Sequence, residues 1–397
     1  MNYNCENFHE QELILCCSHR SIDIDSKNKI RSLVLLNLDW ELILKIAMLN
    51  NVAALLYVNL SSTCPEYIPD YVLLKLKTIF DTNTQKNLLI LGEFIKIMEI
   101  FRENEVPFIP YKGILLSIMM YGGLHYRQFG DIDIFINKND FQKAKNVLIA
   151  NNYLPQYNLT HNKEDLHLMY MHEFKFTNKL NNISVELQWE FSGICSHFQD
   201  DINKYIQNIE VKSVLINNNK LSTFSDEDLI VILCIHAAGH LWGRLLWICD
   251  INEVIRSNDN LDWEKITKIT NQLGIERILH ISLILANELL ETSIPKEIHN
   301  KIIFDKSLKR ICLSIQEKFL FNSSNSDSII NGIRLRYNVR EHSSNGIGDA
   351  ISPLLDPSPE DWKIITLPKF LAPFYYLLRI IRLLFKYNIG IFRLKIE

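Results

Sequence analysis

Two aspartates one residue apart, Asp131 and Asp133, form the pair with the clearest chemical potential in the chain. They lie in Asp131-Ile132-Asp133-Ile134-Phe135-Ile136, where carboxylates alternating with isoleucines predict a strand. Side chains on a strand repeat with a period of two. Both carboxylates therefore share one face, while Ile132, Ile134 and Ile136 point the other way into a core. Carboxylates about 6–7 Å apart along one strand repel each other unless a cation lies between them. Mg2+ suits such a pair, because it takes hard oxygen ligands and is commonly held by one or two carboxylates plus phosphate oxygens. A third carboxylate should come from a neighbouring strand. Glu186, in Val185-Glu186-Leu187-Gln188-Trp189, has the same alternation and is the expected donor.

Upstream, Lys112-Gly113 is expected to close one strand and open a helix. Glycine permits close backbone approach, and a helix N-terminus offers unpaired N–H groups to an anion. Lys112 adds a point charge suited to phosphate, and Arg127, just before the aspartate strand, is placed to clamp a further phosphate oxygen. A strand, a glycine-started helix and a D-x-D strand together describe a site for a nucleoside triphosphate and its metal.

The elements that must hold these residues read as follows. Residues 10 to 105 are predicted helical, with Asp39 ahead of Trp40, Leu42, Ile43, Ile46 and Ala47 at helical spacing. Residues 64 to 70 form a linker. Residues 72 to 102 give one or two helices with Leu88, Leu89, Leu91, Ile95 and Met98 as an apolar stripe, and this layer is read as packing without chemistry. From 105 to 190 the order is β-α-β-α-β-β, ending in a hairpin of 173–177 and 183–189, so a mixed sheet is expected. Ser225-Asp226-Glu227-Asp228 has the form of a capping box and opens a second helical region. Residues 323 to 360, rich in Ser, Asn, Gly and Pro, are predicted to be a long loop. Residues 367 to 387 form an apolar helix carrying Arg379, Arg382 and Lys386. That helix is expected to pack on the domain with its charges solvated, the other possibility being peripheral contact with a membrane or partner. The fold class is thus α+β: a helical region over 1–104, a catalytic α/β core over 105–224 and a C-terminal helical region over 225–397.

Composition narrows the function classes. At 47% hydrophobic and 22% charged, the 397 residues can bury a real core, which excludes disorder. Lys and Arg number 42 against 46 Asp and Glu, so there is no global drive toward nucleic acid. The eight cysteines make no C-x-x-C pair, so reduced thiols are expected. Residues 1 to 11 are polar and acidic, unlike a signal peptide, and the longest uncharged run, 229–243, is short of a membrane span. A cytoplasmic protein is the expectation.

The motifs match a known family. Lys112-Gly113, Arg127, Asp131-Ile132-Asp133-Ile134, Val185-Glu186-Leu187-Gln188-Trp189 and the run from His236 to Asp250, with Tyr375-Tyr376-Leu377-Leu378-Arg379 near the end, resemble the uncharacterised nucleotidyltransferase family of the polymerase-β-like superfamily. The resemblance covers roughly residues 35 to 390. Two departures stand out. The superfamily's glycine signature usually lies about ten residues before the acidic pair, whereas 17 residues separate Gly113 from Asp131 here. The family also often has histidine where this chain has Gln188.

The resemblance implies transfer of a nucleoside monophosphate from an NTP to a hydroxyl, with release of pyrophosphate. Asp131, Asp133 and Glu186 would hold two Mg2+ or Mn2+ ions, with Glu186 as ligand or general base. The acceptor is expected to be a small metabolite, sugar or modified peptide, as in natural-product biosynthesis, with nucleic acid less favoured. Toxin-like nucleotidylation of a protein or tRNA, and a non-catalytic nucleotide-binding scaffold, are the alternatives. His236 and His240, four apart on one helix, resemble a zinc motif without its glutamate and are placed instead near the nucleotide or acceptor. Trp242 and Trp247 are assigned to the core, and Arg244 is expected to pair with Asp250.

Overall fold

The computed structural model describes residues 8–191, 205, 209–216, 219–321, 329–339, 355–365 and 367–386. Five helices come first: α1 (Phe8–Cys16), α2 (Ile24–Val34), α3 (Trp40–Leu49), α4 (Ala53–Thr63) and α5 (Asp70–Glu103). As expected, Asp39 caps α3 by accepting the Leu42 N–H at 3.0 Å. Residues 72–102 form a single helix with no break. Its buried stripe is Ile90, Phe94, Ile97, Met98 and Phe101, whereas Leu88 and Leu89 are exposed. The expected stripe was therefore rotated, because the core side of α5 is set by the i, i+4, i+7 series that begins at Ile90.

The middle of the chain gives β1 (Ile109–Pro110), α6 (Ile114–Met119), β2 (Asp131–Phe135), α7 (Phe141–Ala150), β3 (Tyr153–Pro155), α8 (His161–Tyr170), β4 (Glu173–Asn178) and β5 (Ser184–Gln188). The mixed sheet has the order β1-β2-β5-β4-β3, in which β2 and β5 run parallel and the other pairs antiparallel. The expected hairpin is β4–β5, while β3 and α8 are additions to the predicted order. A second hairpin, β6 (Val211–Ile216) with β7 (Asn219–Phe224), was not foreseen and docks through Thr223 Oγ1, which donates to the Pro110 carbonyl at 2.8 Å.

Helices α9 (Asp226–Gly239), α10 (Leu245–Arg256), α11 (Trp263–Gln272), α12 (Glu276–Leu290), α13 (Lys296–Ile303) and α14 (Lys306–Ile315) follow. Ser225 caps α9 as expected, accepting the Asp228 N–H at 3.2 Å. The predicted loop over 323–360 contains a helix, α15 (Ile329–Val339), and the rest of that stretch up to 354 lies outside the described residues. Last come α16 (Pro359–Ile364) and α17 (Phe374–Lys386). Arg382 Nε of α17 bonds Asp361 Oδ1 at 2.6 Å, so this charge is paired within the fold and not left to solvent.

Two cores result. One joins α1–α4 and the first turns of α5 to α9–α12 and α14, so the N- and C-terminal helices share a single apolar interior. The other lies behind the sheet, formed by Ile132, Ile134, Val185, Leu187, α7 and the second half of α5. Helix α5 therefore spans both, with Leu76 in the first and Phe94 in the second. Among the described residues no helix is long and apolar enough to cross a membrane, and Cys16, Cys17, Cys64, Cys234, Cys249 and Cys312 are free thiols.

Candidate active site

Strand β2 alternates as predicted. Ile132 and Ile134 are buried behind the sheet, and Asp131 and Asp133 are half-buried on its open face. The parallel register of β2 and β5 sets Asp133 directly opposite Glu186, because Ile132 and Ile134 align with Val185 and Leu187 in the same hydrophobic layer. One strand further, the β4–β5 register sets Lys175 opposite Glu186 and Glu173 opposite Gln188. Four carboxylates thus converge on one sheet face, which forms the floor of a cavity of about 570 Å³. Its other walls come from α3–α4, α5, α9 and α10.

The electrostatics reflect that crowding. Burial, then the negative charges of Asp133 and Glu186, push the Asp131 carboxyl up to about 7. Glu186 and Glu173 are also raised, first by burial and then by neighbouring carboxylates. Two ammonium groups partly offset this. Lys112 Nζ lies 3.1 Å from Asp133 Oδ1, and Lys175 Nζ lies 3.1 Å from Glu186 Oε1. Burial opposes the charge of Lys112, but Asp133 beside it keeps the lysine protonated, with its pKa raised. Gln188 bridges two acids, its Nε2 donating to Asp133 Oδ1 at 3.0 Å and to Glu173 Oε2 at 3.2 Å, while its Oε1 accepts from Tyr111. Among the described residues no three His, Cys, Asp or Glu side chains already converge as a metal cage, and the lysines lie against the carboxylates. The donor chemistry nevertheless fits a hard divalent cation: clustered carboxylate oxygens whose mutual repulsion is only half relieved.

Seven of the eight expected site residues border the cavity: Lys112, Arg127, Asp131, Asp133, Glu186, His236 and His240. Gly113 does not. It adopts φ 51° and ψ −110°, a conformation open to glycine, and the place of its missing Cβ lies 3.5 Å from the Asp131 carbonyl. Its role in the fold is to bring the turn tightly against β2. Arg127, expected on phosphate, gives Nε and Nη2 to Asp250 of α10 at 2.8 and 2.7 Å. Tyr121 also donates to Asp250, at 2.9 Å. The pairing of Arg244 with Asp250 expected from sequence is therefore not formed, because Asp250 is sealed under Arg127 and Tyr121. Arg244 lies over the Trp247 ring instead, 5.3 Å from its centroid.

His236 and His240 project from the C-terminal end of α9, their rings 4.8 Å apart and both against Trp247. Burial and the adjacent Lys112 hold both below the usual histidine range, His240 at about 4, so both are neutral near pH 7. His236 Nδ1 lies 3.5 Å from Lys112 Nζ. Trp242 is fully buried as expected, but Trp247 is half-buried and lines the cavity.

Sequence reasoning missed Glu173, Lys86, Asn51 and Trp247 as cavity residues. Glu173 had a usable signal, since Glu173-Phe174-Lys175-Phe176 alternates as β2 does. Lys86, on α5, and Asn51, at the α3–α4 turn, had none, so the N-terminal layer does more than pack.

Comparison with known families matches residues 37–291 to the family described as uncharacterised nucleotidyltransferase, and the chain belongs to that family. Nucleotidyl transfer is the general chemistry of its members. Curated proteins give no match. Among solved structures, the chain is similar to an antigenic nucleotidyltransferase-like protein from Paracoccidioides brasiliensis at 13% identity, over 53% of this chain and 93% of that one, with a TM-score of 0.29. A TM-score that low settles neither fold nor chemistry.

Proposed function

We propose that this nucleotidyltransferase moves a nucleoside monophosphate from an NTP to the hydroxyl of a small metabolite, sugar or modified peptide, releasing pyrophosphate. The reading rests on one observation: Asp131 and Asp133 of β2 and Glu186 of β5 share one face, with Asp133 and Glu186 in direct register. These three would hold Mg2+ or Mn2+, which when bound supplies charge for the oxygens of an in-line displacement at the α-phosphorus.

The chain's own groups do the rest. Lys112 sits on Asp133 and keeps a positive charge at the inner end of the carboxylate row. Gln188 fixes the orientation of the Asp133 carboxylate. Glu186, its pKa raised, accepts the hydroxyl proton or only orients the acceptor; an acid elevated toward the working pH suits the first role. Neutral His236 and His240 with Trp247 give an aromatic wall opposite the acids, suited to a nucleobase or an acceptor ring. The cavity, at about 570 Å³, is of ligand size and walled on the helical side, which favours a small acceptor over a duplex.

The test is incubation of the protein with each NTP, Mg2+ and a metabolite extract, followed by measurement of pyrophosphate and mass analysis of products. A small-molecule adduct lost in Asp131→Ala/Asp133→Ala is the expected result. An adduct on protein or tRNA would move the acceptor to a macromolecule. Pyrophosphate release unaltered in that double variant would end the assignment to this site.

A further inference from the structure

Four cations border the cavity: Lys86, Lys112, Arg127 and Arg244. Three have an evident task inside the protein. Lys112 neutralises Asp133, Arg127 is held by Asp250, and Arg244 lies on the Trp247 ring. Lys86 differs. It is exposed on the cavity side of α5 and has no hydrogen bond or ion pair among the described residues. Its Nζ lies 3.8 Å from where a Cβ on Gly130 would stand, so it reaches the residue that leads directly into Asp131. Gly130 has no side chain to stand between that ammonium and the cavity both residues line.

The base of Lys86 is also fixed relative to the site. Its neighbour Asn87 is fully buried and donates through Nδ2 to the carbonyls of Leu124 and Arg127, at 2.6 and 2.9 Å. Helix α5 is thereby tied to the loop that enters β2, and the flexible lysine stem starts from a fixed point. A polyphosphate entering this cavity meets four carboxylates on the floor and needs an uncommitted cation on its wall.

We propose that Lys86 binds the terminal phosphates of the nucleotide, the part that leaves as pyrophosphate. The inference rests on the nucleotidyl-transfer reading above and assigns the polyphosphate subsite to the helical N-terminal layer. An exposed lysine is a compact, mobile point charge, suited to hold a group that must then depart.

The test uses the full-length chain and inorganic tripolyphosphate with Mg2+, titrated by calorimetry, so that base recognition plays no part. Lys86→Met is expected to weaken tripolyphosphate binding about tenfold and Lys86→Glu more, with Lys86→Arg near wild type. In pyrophosphate-release assays Lys86→Met should raise KM for the NTP with a smaller change in kcat. Lys77→Met, farther up the same helix in an exposed pair with Asp81, controls for loss of one charge and should bind as wild type does. Wild type that binds and Lys86→Met that binds equally would overturn the Lys86 assignment alone. Wild type that binds neither tripolyphosphate nor any NTP would overturn the functional reading and this inference with it. The melting temperature of each variant, at an exposed position, separates a folding defect from a loss of binding.

Discussion

Two ionic regions lie within reach of the same cavity and behave in opposite ways. At Asp250, 1% exposed, one carboxylate is met by two N–H groups of Arg127 and by the Tyr121 hydroxyl. On the sheet face, Asp131, Asp133, Glu173 and Glu186 share two lysines, and their carboxyls rise or compete for donors. The first region is satisfied and fixes the loop before β2. The second is under-neutralised, and a region short of positive charge is one that can take a cation from solution. Asp250 is sealed while the sheet-face acids are half-buried or exposed, and with the ratio of donors to acceptors this separates a structural ion pair from a reactive cluster.

The widest separation between the regions should appear in catalysis. Asp131→Ala/Asp133→Ala should lower pyrophosphate release by at least about 10³-fold in protein whose melt is still cooperative, with relief of repulsion at Asp131 opposed by the buried Lys112 that loses Asp133. Activity within tenfold of wild type would erase the contrast.

Next comes stability at the other region. Asp250→Ala leaves the Arg127 guanidinium buried without its partner and should cost about 3–5 kcal/mol in chemical denaturation. A cost under about 1 kcal/mol would mean the pair is not the rivet its geometry describes.

A third expectation carries a sign. The Asp131 carboxyl is raised to about 7 in the fold from 3.8, so between those values the folded state binds the extra proton. Stability therefore falls as pH rises through that window. Asp131→Asn should match wild type near pH 4 and be more stable at pH 8 in the metal-free protein, and Mg2+ or Mn2+ should close the gap. Thermal melts at both pH values read this directly, and a gap largest at pH 4 would refute it. The smallest effect is Gly113→Ala, expected to cost about 1–2 kcal/mol through its positive φ alone.

How far the sequence foretold these regions depends on the kind of contact. The D-x-D strand, the Glu186 strand and the β4–β5 hairpin were legible because alternation is local and the core selects the face. The capping residues Asp39 and Ser225 were legible for the same reason. The partner of Asp250 was not, because Arg244 is its neighbour in sequence while Arg127 is its neighbour in space. Lys86 and Asn51 escaped because an exposed lysine and a turn asparagine look the same whether or not a cavity opens beside them. Leu88 and Leu89 misled in the other direction, since apolar type alone does not give the phase of a helix.

The hydrogen bonds that seal Asp250 join residues 123 and 129 positions apart. At a synthesis rate of about 5–20 residues per second, Arg127 emerges roughly 6–25 s before the carboxylate that will hold it. During that interval the strands bearing Asp131 and Glu186 can be made and α5 already holds their entry loop through Asn87, yet α10, the second anchor, does not exist. The acid-rich sheet is thus assembled on the ribosome ahead of its own clamp. A nascent chain stalled before residue 245 should therefore be protease-sensitive around 120–130 and dependent on chaperones, becoming resistant only once α10 has been translated.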